Sequence, residues 1–307
     1  FSIIKKILFI RSFILNNKIE ILHSHLPHME LISWFVLIFL NYKIKYFISK
    51  HLDNNFFGGS VYQNKSILAD IIYFVISRRA KKIICISNAV KKYYLNSFLS
   101  YKKKLKVIYY GIDKEYIKKL KTKNKFQKIP KKDVIFCSVG RLAKQKNVKL
   151  IIQSYKNFSK ISKKSSCLII AGDGPEKNNL KKFAKYININ NKIIWLGHVN
   201  NVGNIFEKID VFCMNSKFEG LGLVLLEAMA YSKPIIAPRI SAIPEVVVNM
   251  QNGIIIKPDD IKQYTSAMEK LSNRRIKDKL SKNSKKILNK KFDFNIMIEK
   301  TLDLYTN

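Results

Sequence analysis

Short apolar runs separated by longer amphipathic stretches recur along the whole chain. In the second half, Val134 to Val139, Cys167 to Ala171, Ile193 to Leu196 and Ile209 to Met214 are runs of four to six residues. Runs of that length predict strands buried on both faces. Between them, Leu150 to Phe158 and Leu180 to Tyr186 carry helical spacing. Strand and helix alternating in this way predict a doubly wound parallel sheet, in which ligands bind beyond the carboxyl ends of the strands.

The first half repeats the alternation less regularly. After an amphipathic helix running to Asn16, we expect strands at Ile19 to His23, Ile44 to Ser49, Ile83 to Ile86 and Lys106 to Tyr109, and helices at Glu30 to Asn41 and Ser66 to Ser77. Ser87-Asn88 after the third strand predicts a helix cap, and Gly111-Ile112-Asp113 a turn. Residues 114–132 hold nine lysines and little apolar pattern, so they predict an exposed connection between domains. A length of 307 residues agrees with two cores rather than one. The expected domains are 1–120 and 121–290, with 291–307 forming a helix that packs near the domain junction. The chain begins at Phe1 inside a helix, which predicts a fragment with a truncated first domain.

Composition narrows the class. At 47% apolar and 12% aromatic residues, the chain has ample material for packed cores. The net charge of +36 comes from lysines dispersed over both halves and favours anionic surfaces at low salt. Membrane headgroups, anionic acceptors and nucleic acid share that property, but no RRM, KH or helix-turn-helix signature accompanies the lysines, so specific nucleic-acid binding is not expected. Cys85, Cys137, Cys167 and Cys213 lie far apart in apolar contexts and predict reduced core residues. The longest apolar run, Leu31 to Leu40, has ten residues, short of the roughly twenty that span a bilayer, which predicts a soluble or peripheral protein.

The chemistry concentrates in Phe218-Glu219-Gly220-Leu221-Gly222-Leu223-Val224-Leu225-Leu226-Glu227. Gly220 and Gly222 are expected to take backbone angles closed to other residues, letting a ligand approach the main chain. The run from Leu223 to Tyr231 predicts a helix starting near Gly222, whose free amides and positive dipole end attract anions. Glu219 precedes that helix and Glu227 lies about one and a half turns inside it, so the two would meet different parts of one ligand. Glutamate is ordinarily solvated, yet Glu227 falls in an apolar segment. Gly140-Arg141, Gly172-Asp173-Gly174-Pro175 and Ser216 to Gly222 all follow predicted strands and are expected to face one cleft.

This segment, together with Gly140-Arg141-Leu142, Lys146 and Ile243-Pro244-Glu245-Val246-Val247, resembles the donor half of the retaining glycosyltransferases of family 4, most strongly over residues 107–262. The resemblance implies a GT-B fold of two Rossmann-like parallel-sheet domains. The donor, a UDP- or GDP-sugar, would be held mainly by the C-terminal domain and a saccharide or lipid-linked saccharide acceptor met mainly by the N-terminal one. The first strand and glycine-rich loop usual at the start of the family's N-terminal domain do not appear here.

By the same resemblance Arg141 and Lys146 would contact the diphosphate, Glu219 the sugar hydroxyls and Glu227 the ribose. The backbone from Gly220 through Leu221 and Gly222 to Leu223 would meet the sugar and phosphates beside Gly140. His51 matches a family histidine near the reacting centre and would act with Glu219, Arg141 and Lys146 in catalysis. No D-x-D motif occurs, so no metal or other cofactor is expected. His23, His25 and His28 straddle a strand end and a proline rather than one helix face, which argues against a metal site. His25 and His28 are the acceptor-side candidates, and His198 is expected near the base. Glu245, next to a rigid turn, is expected to buttress its loop, and the Gly172 turn and Gly253 to serve structure alone. The implied setting is envelope polysaccharide or glycolipid synthesis in the cytoplasm, peripheral to the inner face of the cytoplasmic membrane. The competing expectation is a noncatalytic polyanion- or membrane-surface-binding protein that keeps only the fold.

Overall fold

The computed structural model describes residues 3–40, 43–52, 67–96, 101–113, 115, 117 and 129–306. Most of the lysine-rich connection at 114–132 therefore lies outside the described residues, as do Asn41 and Ser66 at the limits of two expected helices. The chain forms two compact units. The first runs to Tyr110 and includes the end of the chain from Ile296; the second is Gly111–Asn295.

The first unit is built on strands β1 (Ile21–Ser24), β2 (Lys45–Lys50), β3 (Lys82–Cys85) and β4 (Leu105–Val107), in that spatial order and all parallel. Helices Ile3–Asn16, Pro27–Ile38, Ile67–Arg79 and Asn88–Leu95 lie between or before the strands. Pro27 opens its helix at a position where a missing amide costs nothing. The expected cap at Ser87 forms, its hydroxyl accepting from Val90 N at 3.1 Å. An ion pair is buried in this unit: Lys50 Nζ meets Glu30 Oε2 at 2.5 Å with both side chains almost fully enclosed. The rings of Tyr73 and Tyr94 lie 4.7 and 5.1 Å from the same ammonium. Removing water from that charge is tolerable because a carboxylate and two π faces replace it.

The second unit has six parallel strands: β5 (Val134–Val139), β6 (Ser166–Ala171), β7 (Ile193–Gly197), β8 (Val211–Cys213), β9 (Ile235–Pro238) and β10 (Gly253–Ile256). Their spatial order is β10-β9-β8-β5-β6-β7. The chain thus builds outward from β5 to β7, then returns to lay β8 against the other side of β5. The crevice beyond the carboxyl ends of β5 and β8 is the topological switch point of such a sheet. Helix Val148–Ile161 packs with helix Ile261–Ser272, joining Ile151, Tyr155, Phe158, Tyr264 and Met268 to Phe136 and Leu168 of the sheet in one core. Each such side chain contributes about 1.5–3 kcal/mol by leaving water.

The four strands expected here form close to their expected limits, whereas β9 and β10, which the apolar runs did not single out, extend the sheet beyond β8. Gly253 closes the turn before β10, its O accepting from Met250 N at 2.8 Å. It opens β10, and a Cβ there would lie 2.4 Å from Ile235 O, so its bareness lets β10 approach β9. All four cysteines are free and buried, as expected, with the Cys85 and Cys213 thiols pushed up to about 12 chiefly by burial. Among the described residues, no helix is long and apolar enough to cross a membrane.

The turns after β5 and β6 are clamped together. Gly140 N donates to Ala171 O at 3.0 Å, Leu142 N to Asp173 O at 2.8 Å and Glu176 N to Leu142 O at 2.9 Å. Gly172 has φ +143°, and a Cβ on it would sit 1.9 Å from Gly140 O. Gly172→Ala is therefore expected to cost ~3 kcal/mol or more through strain and backbone displacement, read as a lowered urea midpoint of the second unit.

Candidate functional site

At the carboxyl end of β5 the chain turns at Gly140, whose φ of +144° favours glycine, and passes through Arg141 into a short turn of 3-10 helix, Lys144–Lys146. Opposite it, the segment after β8 runs from Met214 to Gly222 and then into helix Leu223–Ala230. Main-chain and side-chain bonds tie the two together, with Lys217 N donating to Gln145 O at 2.7 Å and Gln145 Nε2 to Phe218 O at 2.9 Å. Across this seam Lys146 Nζ meets Glu219 Oε1 at 2.5 Å. Two residues expected to contact different parts of a ligand are thus partners of one another here.

Of the two glycines in the loop, Gly222 takes the left-handed conformation (φ +81°), and Gly220 is not among the positive-φ glycines. The expectation of unusual angles at both is corrected in this respect: the turn into the helix needs only the second, while Gly220 and Leu221 are buried in the loop. Gly222 caps the helix with no side-chain oxygen, and no acidic residue lies in the first turn. Amides of Leu223 and its successor therefore face outward with the positive end of the dipole uncompensated. Glu227, on the same helix, is half buried, and burial raises its carboxyl above the ordinary range. Among the described residues it makes no ion pair or side-chain hydrogen bond. Arg141 is exposed and its guanidinium likewise has no partner among them. A narrow cavity lies in the crevice, lined by Ser138, Gly140, Lys146, Met214, Asn215 and Ser216 among others. His198 lies just past edge strand β7 and is exposed.

A separate cluster occupies the first unit, at the carboxyl ends of β1 and β2. His51 Nδ1 pairs with Tyr110 Oη at 2.7 Å, and its ring centroid lies 5.4 Å from that of His25. His25 is 4.3 Å from His23, whose two nitrogens are engaged by Tyr305 Oη at 2.6 Å and Ser49 Oγ at 2.9 Å. The fold thus gathers His51 and His25 and adds His23, Tyr110 and Tyr305. His28, on helix Pro27–Ile38, is exposed. The two-residue spacing of His23 and His25 at the end of β1 places both rings on one side of the strand, but nothing along the chain brings His51 or Tyr305 to them, and Tyr305 is 282 positions from its partner. Among the described residues, no group of three or more His, Cys, Asp or Glu is arranged to hold a metal ion.

The family model described as glycosyl transferases group 1 matches residues 120–287, which contain the whole crevice. The chain belongs to this family. The model for glycosyltransferase family 4 matches residues 3–116. Relatives of this chain include an uncharacterized glycosyltransferase of Methanocaldococcus jannaschii, 31% identical over 226 residues, covering 72% of this chain and 57% of the relative. Another is the Escherichia coli UDP-Gal:alpha-D-GlcNAc-diphosphoundecaprenol alpha-1,3-galactosyltransferase, 30% identical over 233 residues, covering 73% of this chain and 59% of the relative. The matches thus span less than two thirds of either relative's length. A crystal structure of a glycosyltransferase from Rickettsia africae superimposes with a TM-score of 0.82 at 19% identity, over 99% of this chain and 80% of that one, and carries the GT-B fold expected from the sequence.

The histidines make a pH dependence calculable in sign. His23 is lowered to about 4 by burial first and then by the charges of His25 and His51; His51 is lowered to about 4 by burial first, then by His25 and Lys50. An unfolded histidine binds its proton near 6.5. The depressed folded values give stability that is complete above that pH and is lost as pH falls from about 6.5 toward 4. The melting temperature of the first unit is expected to drop across this window, and the drop to be shallower in His23→Gln.

Proposed function

We propose that the chain is a retaining glycosyltransferase of hexosyltransferase type, moving a sugar from a UDP- or GDP-sugar to a hydroxyl of a saccharide or lipid-linked saccharide in envelope polysaccharide or glycolipid synthesis. The observation that carries this reading is the convergence, at the switch point between β5 and β8, of an uncapped helix end, the cations Arg141 and Lys146, and the partnerless half-buried carboxylate of Glu227.

In this reading the diphosphate meets Arg141, Lys146 and the amides at Gly222 and Leu223, while Glu227 accepts hydrogen bonds from the ribose diol and Glu219 from sugar hydroxyls. An ionised carboxylate is an acceptor only, so hydroxyls are its natural partners. The bond between the anomeric carbon and the diphosphate oxygen breaks with its electron pair left on that oxygen. The acceptor hydroxyl forms the new bond on the same face, and its proton passes to the departing phosphate oxygen. No protein nucleophile is required, and the growing charge is met by side chains and a helix end fixed beforehand. His25 and His51, neutral at physiological pH, are suited to orienting hydroxyls near the acceptor. The E. coli relative, whose name specifies UDP-Gal and a diphosphoundecaprenol-linked acceptor, supports this choice of donor and acceptor class.

Peripheral attachment to the inner face of a cytoplasmic membrane fits helix Ile3–Asn16, where Ile4, Leu8, Phe9 and Phe13 are exposed beside Lys5, Lys6 and Arg11. Anionic vesicles are expected to sediment the chain, neutral ones not, and Phe9→Glu to weaken the association.

The donor site is tested by calorimetric titration of UDP, GDP and ADP at about 0.3 M salt, where attraction to scattered lysines is screened. One nucleotide is expected to bind, and Glu227→Ala to weaken it about tenfold or more, the loss of hydrogen bonds to a charged group. Equally weak binding of all three, insensitive to Glu227→Ala, would favour a polyanion-binding protein that has the fold without the reaction.

A further inference from the structure

The segment between β8 and Glu219 carries two polar side chains that the protein itself leaves unsatisfied. Asn215 is 3% exposed and Ser216 1%. Asn215 Oδ1 and Ser216 Oγ are both buried without a hydrogen-bond partner. Such orphans are rare because each forfeits the hydrogen bonds it made to water. They are not accidents of a loose loop, because the chain around them is pinned. Met214 N donates to Ile236 O at 2.9 Å, Tyr264 Oη donates to Met214 O at 3.3 Å, and Lys217 N donates to Gln145 O at 2.7 Å. Both residues line the narrow cavity of the crevice, together with Ser138, Gly140 and Lys146.

The chemistry of the two atoms restricts what can satisfy them. Oδ1 of a carboxamide accepts and cannot donate, so a deprotonated phosphate oxygen would leave it unpaired; a serine hydroxyl both donates and accepts. One group able to answer both is a hydroxyl, which donates to Asn215 Oδ1 while accepting from Ser216 Oγ. Lys146, which lines the cavity, is also the partner of Glu219, so one lysine links the cavity to the carboxylate proposed for the donor sugar.

Resting on the donor-site reading above, we propose that Asn215 and Ser216 form a subsite for a single hydroxyl of the transferred sugar and contribute to sugar selection. On this assignment the group they bind is the sugar hydroxyl, and the diphosphate is left to Arg141 and Lys146. The stability of the unliganded protein is then not their purpose, since replacing an orphaned polar group by an apolar one removes a cost rather than a bond.

The test compares the intact chain with Asn215→Ala and Ser216→Ala by calorimetry, using UDP against UDP-glucose and GDP against GDP-mannose at about 0.3 M salt. For the pair that the unsubstituted chain binds, each variant is expected to hold the sugar nucleotide about tenfold less tightly while the free nucleoside diphosphate changes by less than about twofold. The unliganded variants are expected to melt at or above the temperature of the parent. Equal weakening of both ligands would overturn the proposal in favour of a diphosphate contact. Unchanged affinity for both, a sugar nucleotide bound by the parent no more tightly than its nucleoside diphosphate, or a lowered melting temperature in both variants would each overturn it in favour of a structural role. If the unsubstituted chain binds none of the four, the donor-site reading itself fails and the subsite with it.

Discussion

Because β8 returns to lie beside β5 rather than beyond β7, the segments leaving these two strands at their carboxyl ends must diverge toward opposite halves of the sheet. The crevice, the loops that border it and the helix end that faces it all depend on that one pairing. It is short, with Phe136 opposite Val211 and Cys137 opposite Phe212. A side chain extends it, Asp210 Oδ2 accepting from Ile135 N at 2.8 Å, and Lys277 bonds the other oxygen of the same carboxylate. A helix far along the chain thereby helps hold the seam at which the proposed chemistry occurs.

Above this seam, geometry is fixed by backbone contact rather than by side chains. Gly140 and Gly172 approach so closely that neither turn can move alone. The Lys146–Glu219 pair is different. Both side chains are largely buried, 22% and 11% exposed, and a pair in such a setting contributes little net stability because the cost of taking both charges out of water offsets their attraction. Its value is that it holds both side chains in place before a ligand arrives, when each would otherwise sample many rotamers. A diphosphate reaching Lys146 and a hydroxyl reaching Glu219 each find a group already oriented, which lowers the ordering cost of binding.

The first unit handles polarity in another way. Its charged pair, Lys50 with Glu30, is sealed from solvent, whereas its histidines meet ring to ring at a tilt and are kept neutral chiefly by burial. A neutral imidazole offers one donor and one acceptor, and Tyr110, Tyr305 and Ser49 engage its nitrogens at His51 and His23. His25, the more exposed member of the cluster, retains polar capacity for hydroxyls. Lys45 Nζ donates to Tyr305 O at 3.0 Å, so the end of the chain is anchored to the unit whose histidines it supports.

The residue pattern alone determined the alternation of strands and helices, the parallel sheets, the cap at Ser87, the buried cysteines and the glycine turn before Leu223. These features are local: four to six apolar residues fit a strand enclosed on both faces, and a left-handed residue before a helix requires glycine or something close to it. Strand β9 escaped because Ile235–Pro238 is short and ends in proline, a signal that reads as a turn until β8 and β10 lie on either side. The pairing of Lys146 with Glu219, the approach of His51 to His25, and the isolation of Asn215 and Ser216 were decided only by tertiary structure. Each depends on which strand ends are neighbours in space, and that order is set by crossovers, which leave no trace in the spacing of residues along the chain.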